Sequence, residues 1–222
     1  MKIVAIMGSP HGMKGNTGRL LEEVLAGVKQ GGGEVELVSL AESKVLPCVS
    51  CYACHKTGKC TLKDDFEEIK EKLLACDGFI FASPNYIHNV TAQLKALFDR
   101  CSCIIHCVAL EGKYGALVET SGSGEDADVL RYMEHVVNIV GAQSVGGIGS
   151  PMAGCRTFPD EEALFAKARE LGKELCRCIR EKKHFTEQDA YRDAFKARMK
   201  RLVESQQKEW TFEYEYWQAR NK

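Results

Sequence analysis

Lys2-Ile3-Val4-Ala5-Ile6-Met7-Gly8-Ser9-Pro10-His11-Gly12-Met13-Lys14-Gly15-Asn16-Thr17 is an apolar run that breaks into a glycine-containing loop and then enters helical spacing. A strand apolar at every position belongs in a parallel sheet covered on both faces. Over 17–30, Leu20, Leu21, Val24, Leu25 and Val28 recur on one side of a helix. Gly31-Gly32-Gly33 stops it, since glycine accepts the left-handed conformation of a helix end. Residues 34–40 then alternate as a second strand.

Outward from that unit the pattern repeats. A cysteine-rich loop (47–63) leads to a helix near 65–75, a strand at 78–82 and a helix near 91–101. A strand at 114–120, a helix at 126–140, a weaker glycine-rich strand at 143–148 and a long amphipathic helix at 160–182 complete it. Five strands alternating with helices predict an α/β fold, a doubly wound five-stranded parallel sheet of order 2-1-3-4-5 with helices on both faces. The domain is expected over 1–182, with a C-terminal extension at 183–222. In that extension Ala190, Ala194, Ala197 and Arg201 share a helical spacing, and Trp210-Thr211-Phe212-Glu213-Tyr214-Glu215-Tyr216-Trp217 reads as an extended aromatic arm suited to an oligomer contact.

Composition narrows the function. The 222 residues are 45% apolar and 27% charged with a net charge of −1, which excludes wholesale disorder and the basic excess of a phosphate-gripping nucleic-acid binder. No apolar run reaches the ~20 residues of a membrane span, and the apolar start is too short for a signal peptide. A cytoplasmic location is expected, with reduced or metal-bound thiols.

Ligands of such sheets bind beyond the carboxyl ends of the strands, where the strand order reverses. Three loops meet that edge. In the first, Ser9, Asn16 and Thr17 are side-chain donors, Lys14 adds charge, and Pro10, His11 and Gly15 shape a backbone that can approach an anion at a helix N-terminus. Neither G-x-x-x-x-G-K-[ST] nor G-x-G-x-x-G is present, which favours a phosphate monoester. The second holds Ser83, Pro84, Asn85, Tyr86 and Ile87, where asparagine reads a ring edge and tyrosine offers a flat face. The third is Thr120-Ser121-Gly122-Ser123-Gly124, small and rich in donors. Together they suit a flat, phosphorylated cofactor.

Cys48-x2-Cys51-x2-Cys54-x5-Cys60 places four sulfurs in thirteen residues. Iron–sulfur ligation uses C-x2-C-x2-C runs, and the fourth cysteine is near enough to complete a [4Fe-4S] site. Zinc more often takes two separated knuckles; plain or redox-active thiols are the third possibility. Lys56, Lys59 and Lys63 are expected to offset the negative charge of a cluster. Cys103 and Cys107, with His106 between them, read as core, as do Cys76, Cys101, Cys176 and Cys178. Cys155 follows the fifth strand and is given no role.

The opening strand with Gly8-Ser9-Pro10 through Asn16-Thr17, Ala82-Ser83-Pro84-Asn85-Tyr86 and Leu94-Lys95-Ala96-Leu97-Phe98-Asp99-Arg100 resembles the NADPH-dependent FMN reductase-like branch of the flavodoxin superfamily. With the cysteine run it resembles the iron–sulfur flavoprotein subgroup. The resemblance implies FMN, its phosphate on the first loop and its isoalloxazine between 83–88 and 120–124. It also implies a [4Fe-4S] cluster on Cys48, Cys51, Cys54 and Cys60, with ferredoxin or NAD(P)H as electron donor. His11-Gly12-Met13-Lys14 departs from the family, where many members carry an arginine soon after the serine. A homodimer or dimer of dimers is expected. The alternatives are an NAD(P)H-dependent FMN or quinone reductase without a cluster, and a cysteine-based redox sensor.

Overall fold

The structure, a computed structural model, describes residues 1–122, 124 and 126–220. Ser123 of the third ligand loop lies outside the described residues. The chain runs β1 (Lys2–Met7), α1 (Asn16–Gln30), β2 (Glu34–Ser39), α2 (Ala53–Thr57), α3 (Phe66–Ala75), β3 (Gly78–Pro84), α4 (Ala92–Asp99), α5 (Ser102–His106), β4 (Tyr114–Ser121), α6 (Asp126–Ile139), β5 (Gln143–Pro151), α7 (Glu161–Glu181), α8 (Thr186–Ser205) and α9 (Thr211–Arg220). The sheet is parallel throughout, in the expected order β2-β1-β3-β4-β5.

The period-2 geometry of β1 explains its composition. Ile3, Ala5 and Met7 enter the core beneath α1 and α7, and Val4 and Ile6 enter the core beneath α3, α4 and α6. Each is fully buried. At ~25 cal/mol per Å² of apolar surface, a polar side chain here would forfeit roughly 1.5–3 kcal/mol. Glycine sets the closeness of α1 and α7. A Cβ at Gly27 would lie 2.0 Å from the Arg169 carbonyl oxygen, and one at Gly172 would lie 2.1 Å from that of Val24.

The register aligns Ser39, Met7, Ala82, Val118 and Ile148 in one row. The loops that follow β1, β3 and β4 therefore open side by side. β5 runs past the expected 148 to Pro151, because pairing of Ser150 and Pro151 with Thr120 and Ser121 depends on backbone groups and is indifferent to glycine.

The extension differs from its sequence reading. Residues 211–220 form a helix: the alternating aromatics suggested extension, yet Glu213 and Trp217, four apart, are the buried pair. In α8 the buried face is Phe195, Met199 and Val203, while the alanines face solvent. These residues build a third core with Val108 and Trp217 of the same chain. Gln188 bonds both ways with the Ser144 backbone (2.7 and 2.9 Å), covering the edge strand β5. Among the described residues no helix is long and apolar enough to cross a membrane.

Candidate functional site

The carboxyl edge holds a crevice of about 220 Å³ lined by Ser9, His11, Gly15, Asn16, Thr17, Pro84, Asn85, Tyr86, Thr120, Ser121, Gly122 and Met152. Eleven of these come from the three loops named from sequence; Met152, just beyond β5, is an addition. Pro10, Lys14, Ser83, Ile87 and Gly124 do not line it. Lys14 is exposed, and Ser83 is buried with its hydroxyl accepting from the Thr91 amide at 3.1 Å. Cys155 is also exposed and outside the crevice.

The crevice is held by bonds between strand ends. The Thr17 and Thr120 hydroxyls meet at 2.6 Å, the Asn85 amide donates to the Thr120 carbonyl at 2.8 Å, and the Met152 amide donates to the Ser121 carbonyl at 2.9 Å. Gly15 precedes α1 without a side-chain cap, which leaves the first amides of a fifteen-residue helix for an anion. Ile87 and His88 have φ of +52° and +57°, so the second loop holds a left-handed turn that ordinary side chains rarely adopt.

Glu119 lies one residue before Thr120, fully buried, with both carboxylate oxygens lacking a hydrogen-bond partner. Burial first, and Asp126 beside it second, push its carboxyl up to about 9, so it is neutral at pH 7.

A second cavity, of about 230 Å³, gathers all four cysteines of the loop. Cys48, Cys51, Cys54 and Cys60 line it with Val49, Ser50, Tyr52, His55, Leu62, Asp99, Arg100 and Ser102. It stands against the α4–α5 junction on the helical layer and shares no lining residue with the flavin-type crevice at the strand ends. The loop is tightly turned, with Ser50 and Tyr52 left-handed. Two of its sulfurs already have polar partners: the Ser50 amide donates to Cys48 Sγ at 3.4 Å, and Cys51 Sγ shares a hydrogen bond with the Thr61 hydroxyl at 3.5 Å. The Ala53 amide, then Thr61, hold the Cys51 thiol below its ordinary range, favouring the thiolate that binds metal.

Arg100 forms one wall. Its guanidinium stacks 4.3 Å above the Phe66 ring, and Nη1 bonds Asp64 and, at 3.2 Å, the Leu46 carbonyl. Nε and Nη2 are buried without a partner. An unpaired buried donor costs about 1–3 kcal/mol and more when charged, and the residue that carries this pair lines the cavity with the four cysteines. The expected lysines are not part of it. Lys56, Lys59 and Lys63 are exposed, and Lys56 pairs with Glu209 at 3.2 Å, because flexible ammonium groups stay hydrated.

The C-terminal helices brace the loop from behind. His55 Nδ1 and His106 Nδ1 bond the two oxygens of the fully buried Glu213 at 2.6 and 3.0 Å. Both imidazoles stack on Trp210, 4.6 and 4.8 Å between centroids. Burial opposes charge on His55, but Cys54 and Glu213 outweigh it and hold it up to about 10. These three side chains are the group among the described residues whose ligand atoms lie close enough (within 4.8 Å) for one metal ion. Each imidazole instead sits at hydrogen-bond distance from its own oxygen, which makes the group a clamp. Phe212 closes over Gly58, where φ is +72° and a Cβ would lie 2.5 Å from the ring.

Comparison with known proteins agrees with this geometry. The NADPH-dependent FMN reductase family matches residues 1–153. The chain belongs to that family. As a member it is a flavin-dependent oxidoreductase, and its closer likeness is to iron–sulfur flavoproteins. One, from Archaeoglobus fulgidus, is 35% identical over 82% of each chain. Another, from Methanosarcina thermophila, is 36% identical over 79% of this chain and 94% of its own. Among solved structures, the NAD(P)H:quinone oxidoreductase of Methanothermobacter marburgensis superposes with a TM-score of 0.60 at 19% identity, over 79% of this chain and 98% of that one. That likeness concerns the fold.

Proposed function

We propose that this protein passes electrons between a reduced donor and an acceptor through FMN in the strand-end crevice and a [4Fe-4S] cluster in the cysteine cavity. The observation that carries this reading is the convergence of four cysteines on one cavity that is also lined by Arg100, whose Nε and Nη2 are buried and unpartnered. Bound FMN supplies two-electron storage with single-electron release, and a bound cluster supplies a one-electron port.

The chain's own residues do the rest. The α1 amides with Ser9 and Thr17 take the phosphate; Asn85 and Tyr86 orient the ring, and Thr120 and Ser121 floor it. α4 ties the two sites together. Its N-cap hydroxyl, on Thr91, donates to the Gly8 carbonyl at 2.6 Å, and its C-cap, Arg100, walls the cysteine cavity. Nine steps along the helix, from Thr91 to Arg100, at about 1.5 Å each set these caps about 13.5 Å apart. Ferredoxin or NAD(P)H is the proposed donor, and a homodimer or dimer of dimers the proposed assembly.

Protein purified without oxygen tests this. About four irons and four sulfides per chain are expected, together with one FMN. Cluster-free yellow protein that oxidises NADPH rapidly would replace the proposal by a plain flavin reductase. Negligible turnover with oxidation-dependent oligomer size would indicate a sensor.

A further inference from the structure

Arg100 closes the 94–100 segment that carries the family resemblance, yet the flavin crevice makes no use of it. We propose that its Nε/Nη2 edge donates hydrogen bonds to the sulfur centre on the four cysteines and raises that centre's reduction potential. This rests on the cluster reading above and assigns a tuning role to a residue outside the ligand set.

The guanidinium is divided between two tasks. One nitrogen, Nη1, is committed to Asp64 and the Leu46 carbonyl. The Phe66 face holds the plane of the group. The Nε/Nη2 edge is buried, its two nitrogens have no protein partner, and the residue lines the cavity that collects Cys48, Cys51, Cys54 and Cys60. Burial works against the charge, but Asp64 and then Cys60 outweigh it. A strut joining α4 to the loop would need only the Asp64 side. The second edge is surplus to that role.

Adding one electron at the cavity adds one negative charge beside a fixed, poorly hydrated cation. N–H groups aimed at the sulfurs favour that reduced form, and hydrogen bonds to sulfur are among the factors that set such potentials. Lysines at the surface are screened by water and salt and do this weakly. Arg100 is therefore expected to matter more to the potential than the three loop lysines together.

The test is an EPR-monitored redox titration of the reconstituted protein, with the flavin titrated separately. Arg100→Gln is expected to lower the one-electron equilibrium constant of the cluster about tenfold, a shift of about 59 mV to more negative potential, leaving the flavin potential in place. Asp64→Asn keeps the guanidinium and removes its counter-charge, so it is expected to move the cluster potential the other way. A purely structural role would send both variants in the same direction or leave both at the parental value, and either result overturns the proposal. If Arg100→Gln does not fold, the upward shift in Asp64→Asn decides, and its failure to appear counts against Arg100. Parental protein that takes up no iron would overturn the cluster reading instead, a result distinguishable from iron-loaded variants of unchanged potential.

Discussion

The strand-end crevice and the cysteine cavity are built by opposite strategies. The crevice is made by the sheet: its walls are the ends of β1, β3 and β4, whose register is fixed by buried side chains on both faces. The cavity is made by a loop with little core of its own. It is held in place by side chains from far along the chain: Arg100, 36 residues beyond Asp64, and Glu213, 158 residues beyond His55. A site on a sheet edge inherits its rigidity, whereas a site on a loop needs bracing. The C-terminal helices of this protein are that bracing, which gives the extension a function within its own chain.

The largest expected effect separates the two sites outright. Cys54→Ser should abolish iron binding while FMN content stays within about twofold, since distant sites act nearly independently; iron and flavin assays on the same sample check this. Loss of both cofactors together would mean that the cavity and the crevice form one unit.

Next comes the clamp. Glu213→Ala strands His55 and His106 without their shared carboxylate. Breaking a buried charged pair costs about 3–5 kcal/mol, so urea unfolding should show a marked loss and chelators should strip iron faster. FMN affinity is expected to stay near parental, because the clamp touches no crevice residue.

A smaller effect sharpens the crevice side. Thr17→Val removes the 2.6 Å link to Thr120 and one phosphate donor. A hydrogen bond of about 1 kcal/mol corresponds to roughly a fivefold rise in the FMN Kd, measurable by flavin fluorescence, with iron content unchanged.

The last is a dependence on pH. With its carboxyl raised to about 9, Glu119 keeps a proton in the folded chain that the unfolded chain releases near 4.5. Stability therefore falls as pH rises through that window. Glu119→Gln should flatten the fall, as seen by comparing urea midpoints at about pH 6 and about pH 9. An unchanged slope would place the titrating group elsewhere.

How far each site could be read from sequence follows the same division. The first and second loops were legible because their residues are consecutive and follow apolar strands. The four cysteines were legible because ligand spacing is a local property. Arg100 stood in plain view within 94–100 but carried no signal of its task, since the guanidinium acquires a free edge only after Phe66 and Asp64 orient it. His55, His106 and Glu213 are unremarkable singly. Their meaning arises when α9 returns to helices more than a hundred residues before it. The aromatic arm was misread because period-2 aromatics imitate a strand, while the deciding residue was a buried glutamate.

The order of apolar and polar residues alone was enough to specify the parallel sheet, its strand order, the position of the phosphate-type loop and the grouping of the cysteines. All of these follow from periodicity and short-range spacing. Folding in three dimensions was needed to decide which cation faces the sulfurs, what braces their loop and which side of the extension is buried. Those outcomes depend on burial and on partners brought together across long stretches of chain, and a buried charge takes its role from the neighbours it meets there.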